Sequence, residues 1–307
     1  MITIKRIKRE ASIASFNSNN HDAFFFGAII DQRTESIENE INTSPRFNVI
    51  YDKDKYSLVI NGVAVKVFNL HSFFKDKPFK KILLDATSLG FPELLYLLNG
   101  LNLTGSNFEI TLIYVEPLSY RKEKTDRKEG EFNLSDRNHK FVGLPSFSID
   151  SQSNPESKAT LVTFLGFENS RLGQLLEYDD GASYNKLLAH FAVPAFKPGW
   201  ENTSLRRHLK YFNQVSSELV IHSGSNPYSI NNLLTELYYN NTKLVISPLG
   251  TKPTAVGVCV FLVNNFGKNE LKKQAGAIYD FPQKSKHRSG GIGKVYSYQL
   301  NISNPNI

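Results

Sequence analysis

Short apolar runs dense in β-branched and aromatic residues recur along this chain, and most are followed by a stretch with helical spacing. Strands that alternate with helices in this way pair in parallel, because each helix carries the chain back to start the next strand in the same direction. Ala23–Ile30 precedes a polar helical stretch from Thr34 to Ile41, and Lys81–Asp85 precedes a helix over Pro92–Leu101 and a strand over Phe108–Glu116. Later in the chain Thr160–Phe167, Lys186–Val193, Leu219–His222 and Lys243–Ser247 each lead into a helical pattern, and Ala275–Tyr279 and an edge strand over Lys294–Leu300 close the series. One region breaks the alternation. Phe47–Tyr51 and Tyr56–Phe68, with Asn61-Gly62 inside the second run, predict an antiparallel ribbon, since Asn-Gly suits a type I′ turn.

The fold class expected is therefore α/β, with one or two open, mostly parallel, Rossmann-like sheets and an antiparallel ribbon in the N-terminal half. At 307 residues the chain is long enough for two units. Residues 118–158 hold the charged run Arg121–Gly130 and the polar run Asp150–Ser157, which divide an N-terminal α/β half, 1–117, from a Rossmann-like C-terminal half, 159–307. The run 121–130 has no apolar periodicity with which to offset the cost of ordering, so mobility is expected there. An echo links the halves. Asp85-Ala86-Thr87-Ser88-Leu89-Gly90-Phe91-Pro92 and Ser247-Pro248-Leu249-Gly250-Thr251-Lys252-Pro253 each open an apolar helix, and each following strand ends in Ile-Tyr, an acid and a proline. Duplication and the common grammar of βαβ units both account for it.

Composition narrows the function classes. The only cysteine, Cys259, lies in an apolar run, which excludes a disulfide framework and a cysteine-rich zinc site and suits a reducing, cytoplasmic setting. The basic N-terminus is followed by Ser15 and Asn17–Asn20 rather than an apolar core, so no signal peptide is read, and no apolar run has the length of a membrane span. The formal charge is +7, concentrated in Lys5–Arg9, Arg121–Lys128 and Lys284–Arg288, all read as terminus or loop. Such clusters attract polyanions, so a nucleotide or other phosphate-bearing ligand, a nucleic acid and an acidic partner protein all stay open.

In an open parallel sheet, ligands bind outside the carboxyl ends of the strands. The residues expected there are Asp31 and Arg33; Asp85, Thr87 and Ser88; Glu116; Glu168 and Arg171; Ser223, Gly224 and Asn226; Gly250, Thr251 and Lys252; and Asp280. Gly250-Thr251-Lys252 is the sharpest of these. Glycine removes the Cβ that would block a phosphate, the helix from Pro253 aims its amino end at the same spot, and Thr251 and Lys252 add a hydroxyl and a charge. The loop is neither a Walker A sequence nor a Gly-x-Gly-x-x-Gly fingerprint.

Gly250-Thr251-Lys252, with the small face Ala255-Val256-Gly257 behind it, resembles the ligand-binding turn of CRISPR-associated Rossmann-fold nucleotide-sensor domains. Leu249 stands where that family carries a further glycine. The resemblance implies a nucleotide-binding or nucleotide-sensing module within a larger, defence-related bacterial assembly. Two alternatives stand beside it: a metal-dependent enzyme on nucleotide or nucleic acid, using strand-end carboxylates, and a non-catalytic adaptor subunit. Histidines lack metal-ligand spacing and no Gly-x-Ser-x-Gly elbow is present, so the sequence names no catalytic residue, no cofactor and no metal site.

Overall fold

The computed structural model describes residues 1–120, 134–137, 140–149, 158–177, 183–213, 216–241, 243–268, 274–286 and 288–304. The chain forms two units. Unit 1 comprises Met1–Arg121 and Ser285–Ile307, and unit 2 is Lys122–Lys284. Unit 1 contains β1 (Ile2–Glu10), β2 (Ala23–Phe26), α1 (Gln32–Glu40), β3 (Arg46–Asp52), β4 (Ser57–Ile60), β5 (Val63–Lys66), α2 (Leu70–Lys75), β6 (Lys81–Asp85), α3 (Phe91–Leu103) and β7 (Phe108–Tyr120). Unit 2 adds β8 (Ser135–Arg137), β9 (Val142–Gly143), β10 (Ala159–Phe164), α4 (Asn169–Glu177), β11 (Tyr184–Ala192), α5 (Trp200–His208) and β12 (Ser217–His222). It continues with α6 (Pro227–Asn240), β13 (Lys243–Pro248), α7 (Lys252–Asn264), β14 (Gln274–Tyr279) and β15 (Gln283–Lys284), after which β16 (Ser289–Ile302) returns to unit 1.

The fold is α/β, with a mixed sheet in each unit. The sheet of unit 1 runs β1-β16-β7-β6-β2-β3-β4-β5. Its centre, β7-β6-β2-β3, is parallel, and antiparallel pairs flank it on both sides. The sheet of unit 2 runs β12-β11-β10-β13-β14-β9, parallel except for β9. Strand alternation assigns the faces. In unit 1, Phe24, Leu83, Ile113 and Val115 pack with Ile37 of α1 and Ile41 just after it, while Phe25 on the other face stacks on Phe47 and packs against Phe74 of α2. In unit 2, Leu161, Leu187, Ala189 and Val245 pack with Leu172, Leu175 and Leu176 of α4. The opposite face carries Phe164, His190 and His222 in ring contact. Among the described residues no helix is long and apolar enough to cross a membrane.

The expected ribbon is present. Asn61 and Gly62, both with positive φ, turn β4 into β5, as a type I′ turn requires. Three expectations are corrected. Lys5–Arg9 is neither loop nor free terminus: it lies on β1, the edge strand of unit 1. Lys294–Leu300 is not the edge of a C-terminal sheet, because β16 lies between β1 and β7 in unit 1. The division into 1–117 and 159–307 therefore gives way to an insertion, with β7 reaching Tyr120 and the chain returning only at Ser285. The connection 118–158 also contains β8 and β9. Residues 121–130, expected to be mobile, lie outside the described residues.

The echo between the halves reappears as topology. The order β7-β6-β2-β3 in unit 1 matches β14-β13-β10-β11 in unit 2, with the two echoing turns after β6 and after β13 in equivalent places. They stand at the carboxyl ends of strands in two separate sheets, each on the edge of its own sheet where ligand residues are expected.

Candidate functional site

The strand order reverses between β2 and β6 in unit 1 and between β10 and β13 in unit 2. Such reversals open a ligand crevice in doubly wound sheets. Here the chain itself closes both. A Cβ on Gly27, just after β2, would stand 2.7 Å from the Ser88 carbonyl oxygen, and one on Gly166, just after β10, would stand 2.6 Å from that of Leu249. In unit 1 the closure is also hydrogen-bonded. The Gly27 N–H donates to Ser88 Oγ at 2.8 Å, Ser88 Oγ donates to Asp85, the Thr87 N–H donates to Asp85 at 2.8 Å, and the Val115 N–H donates to Thr87 Oγ1 at 3.0 Å. Asp85, Thr87 and Ser88 are all buried, and burial pushes the Asp85 carboxyl above its ordinary pKa. The structure does bring these three together, as the internal bracing of a strand-to-helix turn.

A buried arginine occupies the neighbouring space in each unit. Arg33, in the first turn of α1, pairs with Asp31 at 2.7 Å and donates to the Val115 carbonyl of β7 at 3.0 Å. Asp31 caps α1 and also accepts from Ser289 of β16. Burial opposes its ionisation, but the Arg33 charge and these hydrogen bonds hold its pKa below the ordinary value. In unit 2, Arg171 of α4 reaches past β13 to Asp280, just after β14, in a two-pronged contact with Nε–Oδ2 at 2.7 Å. Glu168 accepts from the Leu134 N–H and the Ser135 hydroxyl, both at 3.1 Å, and so anchors β8. Glu116 is bonded by Tyr296 and the Lys294 backbone of β16; burial raises its pKa and lifts that of Tyr296 to about 12. These strand-end carboxylates thus serve separate partners, and among the described residues no three acidic, histidine or cysteine side chains cluster as metal ligands.

The remaining predicted residues converge. Asn226 caps α6 by accepting from the N–H groups of Tyr228 and Ser229 at 3.0 and 3.3 Å, and Thr251 caps α7 by accepting from the Thr254 N–H at 3.4 Å. Thr251 Oγ1 also donates to the Gly224 carbonyl at 2.7 Å, tying the turn after β12 to the turn after β13. The amino ends of two helices of 14 and 13 residues therefore meet at the carboxyl end of the sheet. Ser223, Asn226, Gly250, Thr251 and Lys252 are half-buried there. The small face of α7 has a different use. A Cβ on Gly257 would stand 2.5 Å from the Pro227 carbonyl oxygen and 2.6 Å from Ile230 Cβ, so this glycine lets α6 and α7 touch.

Sequence reasoning missed what lies beneath these turns. His190 and His222 are buried there, yet neither His190 nitrogen has a hydrogen-bond partner, nor has His222 Nδ1. His222 Nε2 lies 3.4 Å from Thr254 Oγ1, which is 2.9 Å from Thr251 Oγ1, so a polar chain runs from the histidine to the turn. Burial, with a smaller contribution from His222, lowers the His190 pKa to about 3, and burial lowers that of His222 to about 4. Both rings are neutral at pH 7 and packed about Phe164. Their positions in strands β11 and β12 carry no signal that separates them from apolar core positions. A cavity of about 230 Å³ lies elsewhere in unit 2, by the amino ends of β10 and β11, lined by Phe141, Ala159, Tyr184, Val245 and Ala277 among others, and contains none of the predicted residues. Compared with protein-family models, curated proteins and solved structures, the chain matches none.

Proposed function

We propose that unit 2 binds a phosphate-bearing small molecule, a nucleotide, at the joined turns Ser223–Asn226 and Gly250–Lys252. One observation carries this reading: the Thr251–Gly224 hydrogen bond holds two helix amino ends together at the carboxyl edge of a parallel sheet, with Lys252 in the first turn of the second helix. Helix dipoles and turn N–H groups favour a dianion at such a place, and the lysine adds a charge. The buried imidazole nitrogens below that lack partners, both of His190 and Nδ1 of His222, are polar atoms of the kind that a core retains at a functional site. The metal-dependent alternative draws no support from carboxylates that are each engaged separately. A sensing role in a larger, defence-type assembly is the wider form of the proposal and rests on the resemblance at Gly250-Thr251-Lys252.

Calorimetric titration with mono-, di- and cyclic nucleotides, and with inorganic phosphate as a separate arm, tests it. A charge-assisted contact to phosphate contributes about 1.5–3 kcal/mol, so Lys252→Ala is expected to weaken binding roughly ten- to a hundredfold. The variant keeps its thermal midpoint within a few degrees, because Lys252 is half-buried at a helix start and outside the core. Equal affinity in Lys252→Ala moves the site elsewhere. No binding by the wild type to any of these probes removes the reading and favours the adaptor alternative.

A further inference from the structure

The open edges of the two sheets are built differently. An unpaired edge strand is a template for another chain, and edges are commonly blunted by charge, by shortness or by a bulge. In unit 1, β1 carries Lys5, Arg6, Lys8 and Arg9 and has a register break between Ile4 and Arg6, and the opposite edge, β5, is four residues long and ends in Lys66. In unit 2, β9 is two residues long. The last edge, β12, has none of these devices. Its six residues are Ser217-Glu218-Leu219-Val220-Ile221-His222, with one acidic side chain, already paired with Lys186, and among the described residues it pairs only with β11. Leu219 is 50% exposed and Ile221 67% exposed.

We propose that β12 pairs antiparallel with β12 of a second copy of this chain, joining two unit 2 sheets across a twofold axis at Val220. The backbone limits the register to those that pair outward-facing residues with each other, and matching exposed Leu219 to exposed Ile221 selects the one centred on Val220. The carbonyls of Ser216 and His222 accept from Leu187 and Val193 on the β11 side. Since successive residues point their N–H and C=O groups to opposite sides of a strand, those of Leu219 and Ile221 face away from β11. Pairing centred on Val220 sets Leu219 of one copy opposite Ile221 of the other, twice, each pair exchanging two backbone hydrogen bonds. The same pairing places the exposed leucine and isoleucine side chains against each other on one face and Val220 against its own copy on the axis. The strand is thus self-complementary in hydrogen bonding and in apolar surface, which argues for a second copy as the occupant.

Sedimentation velocity of the full chain over a wide concentration range reads the first consequence, a concentration-dependent dimer. Ile221→Lys, and independently Leu219→Lys, place a charge in the seam and are expected to shift the dimerisation midpoint at least about tenfold upward, with circular dichroism and thermal midpoint unchanged because both side chains are already exposed. Val220→Cys reads the register. Opposed residues of a non-hydrogen-bonded antiparallel pair have Cα atoms about 4.5 Å apart, within disulfide reach, so mild oxidation is expected to yield a reducible covalent dimer. The native Cys259 is buried and serves as the internal control. A wild type that stays monomeric throughout, lysine variants that dimerise as well as the wild type, or a dimer in which Val220→Cys fails to cross-link would each overturn the proposal.

Discussion

Between pH 7 and pH 4.5 three buried histidines are expected to remove several kcal/mol of folding stability, about 2–3 kcal/mol each. His190, with a folded pKa of about 3, and His208 and His222, each about 4, stay neutral in the folded protein well below the pH at which an unfolded histidine takes up its proton. As pH falls through the ordinary value of 6.5, the unfolded state binds more protons than the folded state, so stability declines until the folded pKa values are reached. Asp85 and Glu116, with raised pKa values, act in the opposite sense by holding protons better when folded. A differential measurement isolates the histidine share. His190→Leu removes a buried ring with no hydrogen-bond partner, so it costs little at pH 7 and flattens the pH dependence by about 2–3 kcal/mol. Urea unfolding of wild type and His190→Leu at pH 7 and 4.5 reads this directly. Identical pH dependence in the two proteins would contradict it.

Arg171→Met is expected to cost about 3–5 kcal/mol, because it leaves the Asp280 carboxylate buried without its two-pronged partner. Asp280 is completely buried, and its bond to Arg171 spans from α4 to the residue after β14, so the loss reaches across the sheet edge. The double variant Arg171→Met/Asp280→Leu removes both charges and is expected to recover much of that loss. Chemical denaturation of the single and double variants decides it. A single variant within 1 kcal/mol of wild type, roughly the scale of a surface pair, would show that the pair does not hold the edge together.

The parallel core was legible because its signal is local. Runs such as Lys81–Asp85 and Lys243–Ser247 are short, apolar and followed within a few residues by a helix with proline in its first turn, and the Asn61-Gly62 turn dictates its own geometry. What escaped depends on pairing across long separations. The N-terminal run Ile2–Glu10 is a strand because β16, nearly three hundred residues later, pairs with it, and its many exposed lysines and arginines disguise it as a tail. The insertion of unit 2 has the same origin, since nothing in Lys294–Leu300 says which sheet it joins. Among the residues expected at a site, Thr251 and Asn226 lie in strand-to-helix turns that the local pattern marks, where they cap α7 and α6. Asp85, Glu168 and Arg171 sit where a ligand group would sit, but local sequence does not show that Ser88, Ser135 and Asp280 already occupy them.

The central claim, that the joined turns of unit 2 receive a phosphate-bearing ligand, is tested most directly by amide chemical shifts during nucleotide titration of the isotopically labelled full chain. Saturable shifts are expected at Gly224, Ser225, Asn226, Gly250, Thr251 and Lys252, carried inward to Thr254 and His222 through their hydrogen-bonded chain. Shifts centred instead on the cavity lined by Phe141, Tyr184 and Ala277, or no saturable shift at the turns, would contradict it.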